Sequence, residues 1–370
     1  MNRYFDICAT TPIDKRVLDF MNINNNIFGN PSSIHEFGQK SRTIIEKSRI
    51  KVSKSINSTT SEVVFTCNGS VSNNMALIGI LEKGDHLITS SYEHPAVSKV
   101  CNFLKTKGVD ITFIKPKSSG VINLDDVKNA IKNNTKLISI MMVNNEIGSI
   151  NPISDLSKML EEKNILVHTD AVQAMGKVKI DVKNLGIDLL SLSGHKFYGP
   201  KGVGILYVKE NTPLNPILFG GGQESDLFPG TENIVNIGAI GEAASICTES
   251  LNSDIEKIRN LEILFLDTLS KHKVDFKING DNRAPGILNI TFQNTNSQSF
   301  IINLDMMGFA ISAGSACSSG SIKGSKTLSE IGLSEHDMKS SYRISFSKNH
   351  CENDIKNFSS AIIKCLGKSQ

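Results

Sequence analysis

Side chains that could share one reaction stand in short motifs far apart in this chain. A lysine occurs in Ser193-Gly194-His195-Lys196-Phe197-Tyr198-Gly199-Pro200-Lys201-Gly202, an aspartate in His168-Thr169-Asp170-Ala171-Val172-Gln173, a histidine in Tyr92-Glu93-His94, and a hydroxyl in Cys67-Asn68-Gly69-Ser70. Gly69 and Ser70 open an expected helix, so backbone N–H groups and a hydroxyl face outward at a positive helix end, which suits a phosphate. A lysine flanked by glycines directly after a buried strand is partly desolvated, and the resulting drop in pKa frees its amine for Schiff-base formation. A carboxylate at a neighbouring strand end can keep a pyridine nitrogen protonated. Anion site, carboxylate and amine are together what pyridoxal 5'-phosphate requires. Taken singly, Ser70 and Asp170 read equally well as helix caps, and Lys196 as one solvated lysine among 40 basic residues. Their combination on separate strand ends is what argues for chemistry.

Strands must carry those ends. As far as Val208 the chain repeats an apolar, β-branched run, a polar or Gly-rich turn and a helical segment, the order of an α/β fold. The runs are Glu62 to Thr66, His86 to Ser90, Lys136 to Val143, Asn164 to His168, Asp188 to Leu192 and Val203 to Val208, and a helix is expected over Val71 to Leu81. In open, mostly parallel sheets, ligands sit beyond the carboxyl ends of the strands. Ser70, His94, Asn145, Asp170 and Lys196 all follow such ends. After about Leu251 the texture changes to a smaller α+β unit. It holds a helix over Ile255 to Lys271, strands over Gly286 to Phe292 and Phe309 to Ser312, and a closing helix near Asp354 to Leu366.

Composition narrows the partners. In 370 residues, 39% hydrophobic and 21% charged describe an ordinary globular chain rather than a disordered or collagen-like one. Lys plus Arg number 40 against 37 Asp plus Glu, and the net charge of +3 argues against a nucleic-acid or membrane-surface binder; a small molecule is the expected partner. Apolar runs such as Leu137 to Val143 fall far short of the ~20 residues of a membrane span. The opening Met1-Asn2-Arg3-Tyr4-Phe5-Asp6 has neither a signal core nor a transit-like stretch, so cytoplasmic residence is expected. Cys8, Cys67, Cys101, Cys247, Cys317, Cys351 and Cys365 contain no C-x-x-C pair, which suggests neither a disulfide framework nor a zinc ribbon; no metal is expected.

The motifs are specific in combination. Tyr4-Phe5-Asp6, Ala9-Thr10-Thr11-Pro12, Phe28-Gly29-Asn30-Pro31-Ser32-Ser33, Val143-Asn144-Asn145-Glu146-Ile147-Gly148, His168-Thr169-Asp170-Ala171, the run from Ser193 to Gly202, and Gly314-Ser315-Ala316-Cys317 follow one another in an order that resembles the cysteine desulfurases of the NifS/IscS type, within the class V aminotransferases. The resemblance spans nearly the whole chain. It implies the type I fold of pyridoxal-phosphate transferases: a large domain over residues 14–251 with a mostly parallel seven-stranded sheet, and a smaller α+β domain of residues 1–13 and 252–370 carrying the cysteine loop. It implies that Lys196 bonds the cofactor and Asp170 pairs with the ring nitrogen. Gln173 and Asn145 would face the ring hydroxyl, Asn145 also touching substrate, and His94 would stack on the ring and assist proton transfer. Ser70, Ser193 and His195 would hold the phosphate, joined by Thr231 from a second subunit, so a homodimer follows.

The same resemblance makes Cys317 the sulfur acceptor and Arg343 the grip on the substrate α-carboxylate, a task that suits a planar guanidinium fork better than an ammonium. Cys317 lies among small residues from Ala313 to Ser321 with no bulky anchor, so the loop is expected to move. Desulfuration needs a thiolate that attacks the sulfur of L-cysteine and then carries the persulfide to an acceptor, such as a scaffold or carrier protein. Selenocysteine lyase, another class V reaction, or a sulfur-relay protein without turnover stay open, although plain transamination needs no thiol. The chain differs from the family's usual pattern in Ser70 for threonine, Val71 for an acidic residue, Cys8 for alanine, and Ser225 and Phe228 for arginines. It also ends soon after the last expected helix, which leaves the sulfur acceptor open.

Overall fold

The computed structural model describes residues 3–293, 295–313 and 324–367. Its strands are β1 (Val63–Thr66), β2 (His86–Ser90), β3 (Asp110–Ile114), β4 (Thr135–Ser139), β5 (Leu166–Asp170), β6 (Leu189–Ser193), β7 (Gly204–Val208), β8 (Phe276–Asn279), β9 (Ile287–Phe292) and β10 (Ser341–Ser345). The first of them form a seven-stranded sheet in the order β1-β7-β6-β5-β4-β2-β3, parallel except where β7 runs against both its neighbours. Helices cover both faces, so strands such as β2 and β6 are buried throughout rather than on alternate residues, and their polar side chains are buried with the apolar ones.

Two buried histidines stitch this sheet across its strands. His168 on β5 meets Ser139 Oγ of β4 at 2.8 Å and Ser191 Oγ of β6 at 3.1 Å. His86 on β2 meets Thr135 Oγ1 of β4 and Thr112 Oγ1 of β3, both at 2.8 Å. A neutral imidazole offers one donor and one acceptor, and a hydroxyl can answer either, so each ring is satisfied without charge. Burial pushes His168 down to about 3.

A second, antiparallel sheet, β10-β9-β8, lies after the first in sequence. The N-terminal segment joins it through single bridges from Tyr4 to Ala310 and from Asp6 to Ser345. Phe5 is fully buried and stacks on Phe358 at 3.9 Å and on His350 at 4.3 Å. Burying such a ring contributes roughly 1.5–3 kcal/mol, enough to hold the segment whose next residues, Cys8 and Ala9, reach the central cavity.

The structure corrects the sequence-based expectations in several places. β3 and β8 are additional strands; both are edge strands, short and partly exposed, whose Asp, Thr, Lys and Asn dilute the apolar signal. Phe309 to Ser312 is not a strand, since Ala310 and Ser312 form only isolated bridges, to Tyr4 and Arg343. β4 ends at Ser139 rather than Val143, and β5 runs on to Asp170, which pairs with Ser191. The first helix after β1 covers Gly69–Ile78. Among the described residues no helix is long and apolar enough to cross a membrane, and every cysteine is a free thiol.

Candidate active site

A cavity of about 240 Å³ opens at the carboxyl ends of the central strands. Gly69, Ser70, His94, Asn145, Asp170, Gln173, Ser193, His195, Lys196 and Arg343 all line it. Thr231 is exposed and lies elsewhere on this chain, and Cys317 lies outside the described residues.

One end of the cavity is built for an anion. Asn68 caps the helix Gly69–Ile78, its Oδ1 accepting from Val71 N at 2.9 Å, and Gly69 and Ser70 of the first turn line the cavity together with Ser193 and His195. A Cβ on Gly69 would stand 2.7 Å from Val172 Cγ2 and 3.2 Å from Ser193 Cβ, so only glycine lets this helix start approach the end of β6. His195 Nδ1 meets Thr10 Oγ1 at 3.1 Å. Burial, reinforced by Lys196 and Lys201, pushes its imidazole down to about 4.

Asp170, the last residue of β5, is 5% exposed. Its Oδ2 accepts from Asn73 Nδ2 at 2.7 Å and its Oδ1 from Val172 N at 3.0 Å, which leaves acceptor capacity on both oxygens. Asn73 belongs to none of the sequence motifs; its one signal is that it sits a helical turn beyond Gly69 and therefore shares its face. Asn73 Oδ1 and Gln173 Oε1 are buried with no hydrogen-bond partner among the described residues, while Gln173 Nε2 donates to Cys8 O at 2.8 Å. Buried polar atoms left unpaired at a cavity wall are the mark of a missing polar ligand.

His94 caps the helix Pro95–Thr106, its Nδ1 accepting from Ala96 N at 3.1 Å. The neutral ring must then carry its proton on Nε2. Burial lowers its pKa and Lys196 adds to the effect, with Asp170 opposing. Behind it Glu93 accepts from Met141 N at 2.9 Å and from Ser90; burial, with Asp170 nearby, raises its carboxyl to about 8.

Lys196 ends a short 3-10 turn after β6, Gly194–Lys196, and its Nζ donates to Cys8 O at 2.7 Å and Ala9 O at 2.9 Å. Arg343 reaches the cavity from β10 and is 1% exposed. It donates to Asn145 O at 2.9 Å and to Asp6 Oδ1 at 2.7 Å, while its Nε is buried with no partner among the described residues. The arrangement offers an anion pocket, a buried carboxylate, a histidine, an amine and an unused guanidinium N–H around one space.

Comparison with known proteins agrees with this geometry. The class-V aminotransferase model matches residues 3–358. Cysteine desulfurase IscS of Dictyoglomus turgidum is 43% identical over 337 residues, covering 89% of this chain and 86% of that protein. A solved NifS-like protein superposes with a TM-score of 0.93 at 31% identity, over 99% of this chain and 100% of the other. SspA, solved in complex with cysteine, superposes with a TM-score of 0.83 at 38% identity, over 94% and 100% of the two chains.

Proposed function

Since the chain belongs to the class-V aminotransferase family, we propose that it is a cysteine desulfurase, which takes sulfur from L-cysteine, releases L-alanine and holds the sulfur as a persulfide on Cys317. The observation that carries this reading is the convergence of Lys196, Asp170, His94 and Arg343 on one cavity with unpaired polar atoms in its wall. Those residues fit pyridoxal 5'-phosphate, which when bound supplies an electron sink for the substrate α-carbon.

Gly69, Ser70, Ser193 and His195 would hold the phosphate, and Asp170, steadied by Asn73, would keep a proton on the ring nitrogen. Gln173 and Asn145 would face the ring hydroxyl, and Lys196 would supply the amine for the aldehyde. Arg343 Nε takes the α-carboxylate of L-cysteine, in a guanidinium already fixed by Asp6 and Asn145 O. Lys196 Nζ would be the base that moves the substrate α-proton, and His94 Nε2 would assist from its capped, neutral ring. The Cys317 thiolate then attacks the substrate sulfur. An S–S bond forms as the Cβ–S bond breaks, and its electron pair stays on carbon, which is protonated to alanine. Cysteine plus thiol gives alanine plus persulfide, so no outside oxidant or reductant enters. The persulfide passes on to a thiol or to an acceptor protein of iron–sulfur or thio-cofactor assembly.

A second copy of the chain completes the phosphate pocket through its Thr231. The exposed Phe28, Ile34 and Phe37, at 77%, 91% and 55%, support a covered face of that kind. The division into residues 14–251 and residues 1–13 with 252–370 is supported by a separate apolar cluster joining Phe5 to side chains between Ile258 and Ile363.

Purified protein supplied with pyridoxal 5'-phosphate, L-cysteine and a reductant is expected to release alanine and sulfide in equal amounts. Cys317→Ala should lose both. Absence of alanine from the parent protein, or an unchanged rate in Cys317→Ala, would overturn the reading.

A further inference from the structure

Past residues 314–323 the described chain resumes at Gly324 and enters a short helix, Lys326–Glu330, capped by Ser325 Oγ, which accepts from Leu328 N at 3.1 Å. This return is fastened to the loops after β4 and β2. Glu146 lies 6% exposed next to Asn145, and its carboxylate divides between two hydroxyls: Oε2 accepts from Ser325 Oγ at 2.5 Å and Oε1 from Thr327 Oγ1 at 3.2 Å. Ser91 Oγ donates to Glu330 Oε2 at 2.8 Å, close to His94 in sequence. On the other flank Arg343 N donates to Ser312 O at 2.7 Å and Ser312 N to Arg343 O at 3.2 Å. The described residues on either side of the stretch bearing Cys317 are therefore fastened, Ser312 to the strand of the arginine and Ser325 to the loop of Asn145.

A buried carboxylate is expensive unless both its oxygens are answered. Here two hydroxyls answer it, and its charge also acts on Arg343. Its backbone is fixed independently, since Asn144 Oδ1 accepts from Glu146 N at 2.8 Å and from Ile147 N at 3.0 Å. The side chain is thus free of any duty to its own loop and spends its hydrogen bonds on the distant segment.

We propose that Glu146 is a positioning residue for sulfur transfer: its carboxylate fixes the point at which the Cys317-bearing segment returns to the body. Its side-chain hydrogen bonds go to that segment and none to the groups that would hold cofactor or substrate. The inference rests on Cys317 as the sulfur acceptor, and the test separates the two. Holoenzyme is mixed with saturating L-cysteine, quenched at short times, and the Cys317 peptide is weighed for the added sulfur; the absorbance change on substrate addition and KM are followed in parallel.

Glu146→Gln should slow persulfide formation about tenfold, the loss of one charge-assisted hydrogen bond, with KM and the absorbance change within about twofold of the parent. Thr327→Val should show part of the same loss from the other partner, and adding it to Glu146→Gln should cost less than the two losses combined, because both changes act on one interaction. In the absence of turnover, alkylation of Cys317 by iodoacetamide should change rate in these variants while that of the exposed Cys67 does not. Parental persulfide rates in Glu146→Gln, or an equal loss in the substrate-binding signal, would overturn the role of Glu146. No added sulfur on Cys317 in the parent protein would instead remove the acceptor reading on which it stands.

Discussion

The two walls of the cavity are built on different principles. On the sheet side, Ser70, His94, Asp170 and Lys196 each stand within a few residues of a strand end, and each is aimed by its own local turn or helix start. On the opposite side Arg343 comes from the second sheet and is held by Asp6, 337 residues away, and by Asn145 O, 198 residues away. The sheet wall separates chemistry from stability, since a strand-end side chain can be removed without unfolding the strand behind it. The arginine wall joins them. A buried guanidinium that loses its partner becomes an uncompensated charge, and removing one member of such a pair costs about 3–5 kcal/mol.

The sharpest break between the walls is therefore Lys196→Ala. We expect alanine formation to fall by about 10⁴-fold or more, with loss of the cofactor's bound absorbance, while thermal stability stays within about 1 kcal/mol of the parent because the amine is only half-buried. A large drop in Tm in this variant would erase the distinction. Asp6→Asn tests the other wall. It should raise KM for L-cysteine and also lower the unfolding free energy by about 2–3 kcal/mol, short of the full buried-pair penalty because the Asp6 side chain keeps 17% exposure. Denaturant melts alongside initial rates read both effects; a KM change with unaltered stability would show that Arg343 is held by something else.

The smallest expected effect concerns pH and is shared by the two walls. Burial holds His168 in the large sheet to about 3, and His195 at the rim and His350 beneath Phe5 to about 4, against an ordinary value near 6.5. Folded-state pKa values below the unfolded ones mean that the unfolded chain binds more protons in between. Stability is thus at its full value above about pH 6.5 and is lost progressively as pH falls toward 4. Tm measured from pH 7.5 downward, by about a unit at a time, should decline over that window, and His168→Gln should flatten the decline. An unchanged slope would mean that the sheet histidine takes up protons while folded.

Much of the sheet wall is legible in the amino-acid sequence, because each of its residues belongs to a pattern that closes within about ten residues: an apolar run, a turn, a cap. Edge strands are not. β3 and β8 are partly exposed, and the charged Asp110 and Lys277 interrupt their short apolar stretches, whereas β2 and β6 are buried at every residue. Asn73 is hidden for another reason: nothing in an asparagine inside a helix announces a carboxylate 97 residues later. Glu146 is visible only as part of a motif, and its meeting with Ser325 across 179 residues is not visible at all.

What the amino-acid order determined by itself was that a strand end or helix start stands close to each of Ser70, His94, Asp170 and Lys196, and hence that these groups share a rim, because backbone periodicity and turn chemistry are local properties; the exact bounds of the elements were not determined in this way. The tertiary structure alone decided which groups from different segments touch: the strand order set Asp170 against Asn73, and the docking of the second sheet set Arg343 against Asp6 and Asn145. Such meetings depend on the packing of whole layers, where the free energy of burial is summed over many side chains and no single stretch of sequence carries the signal.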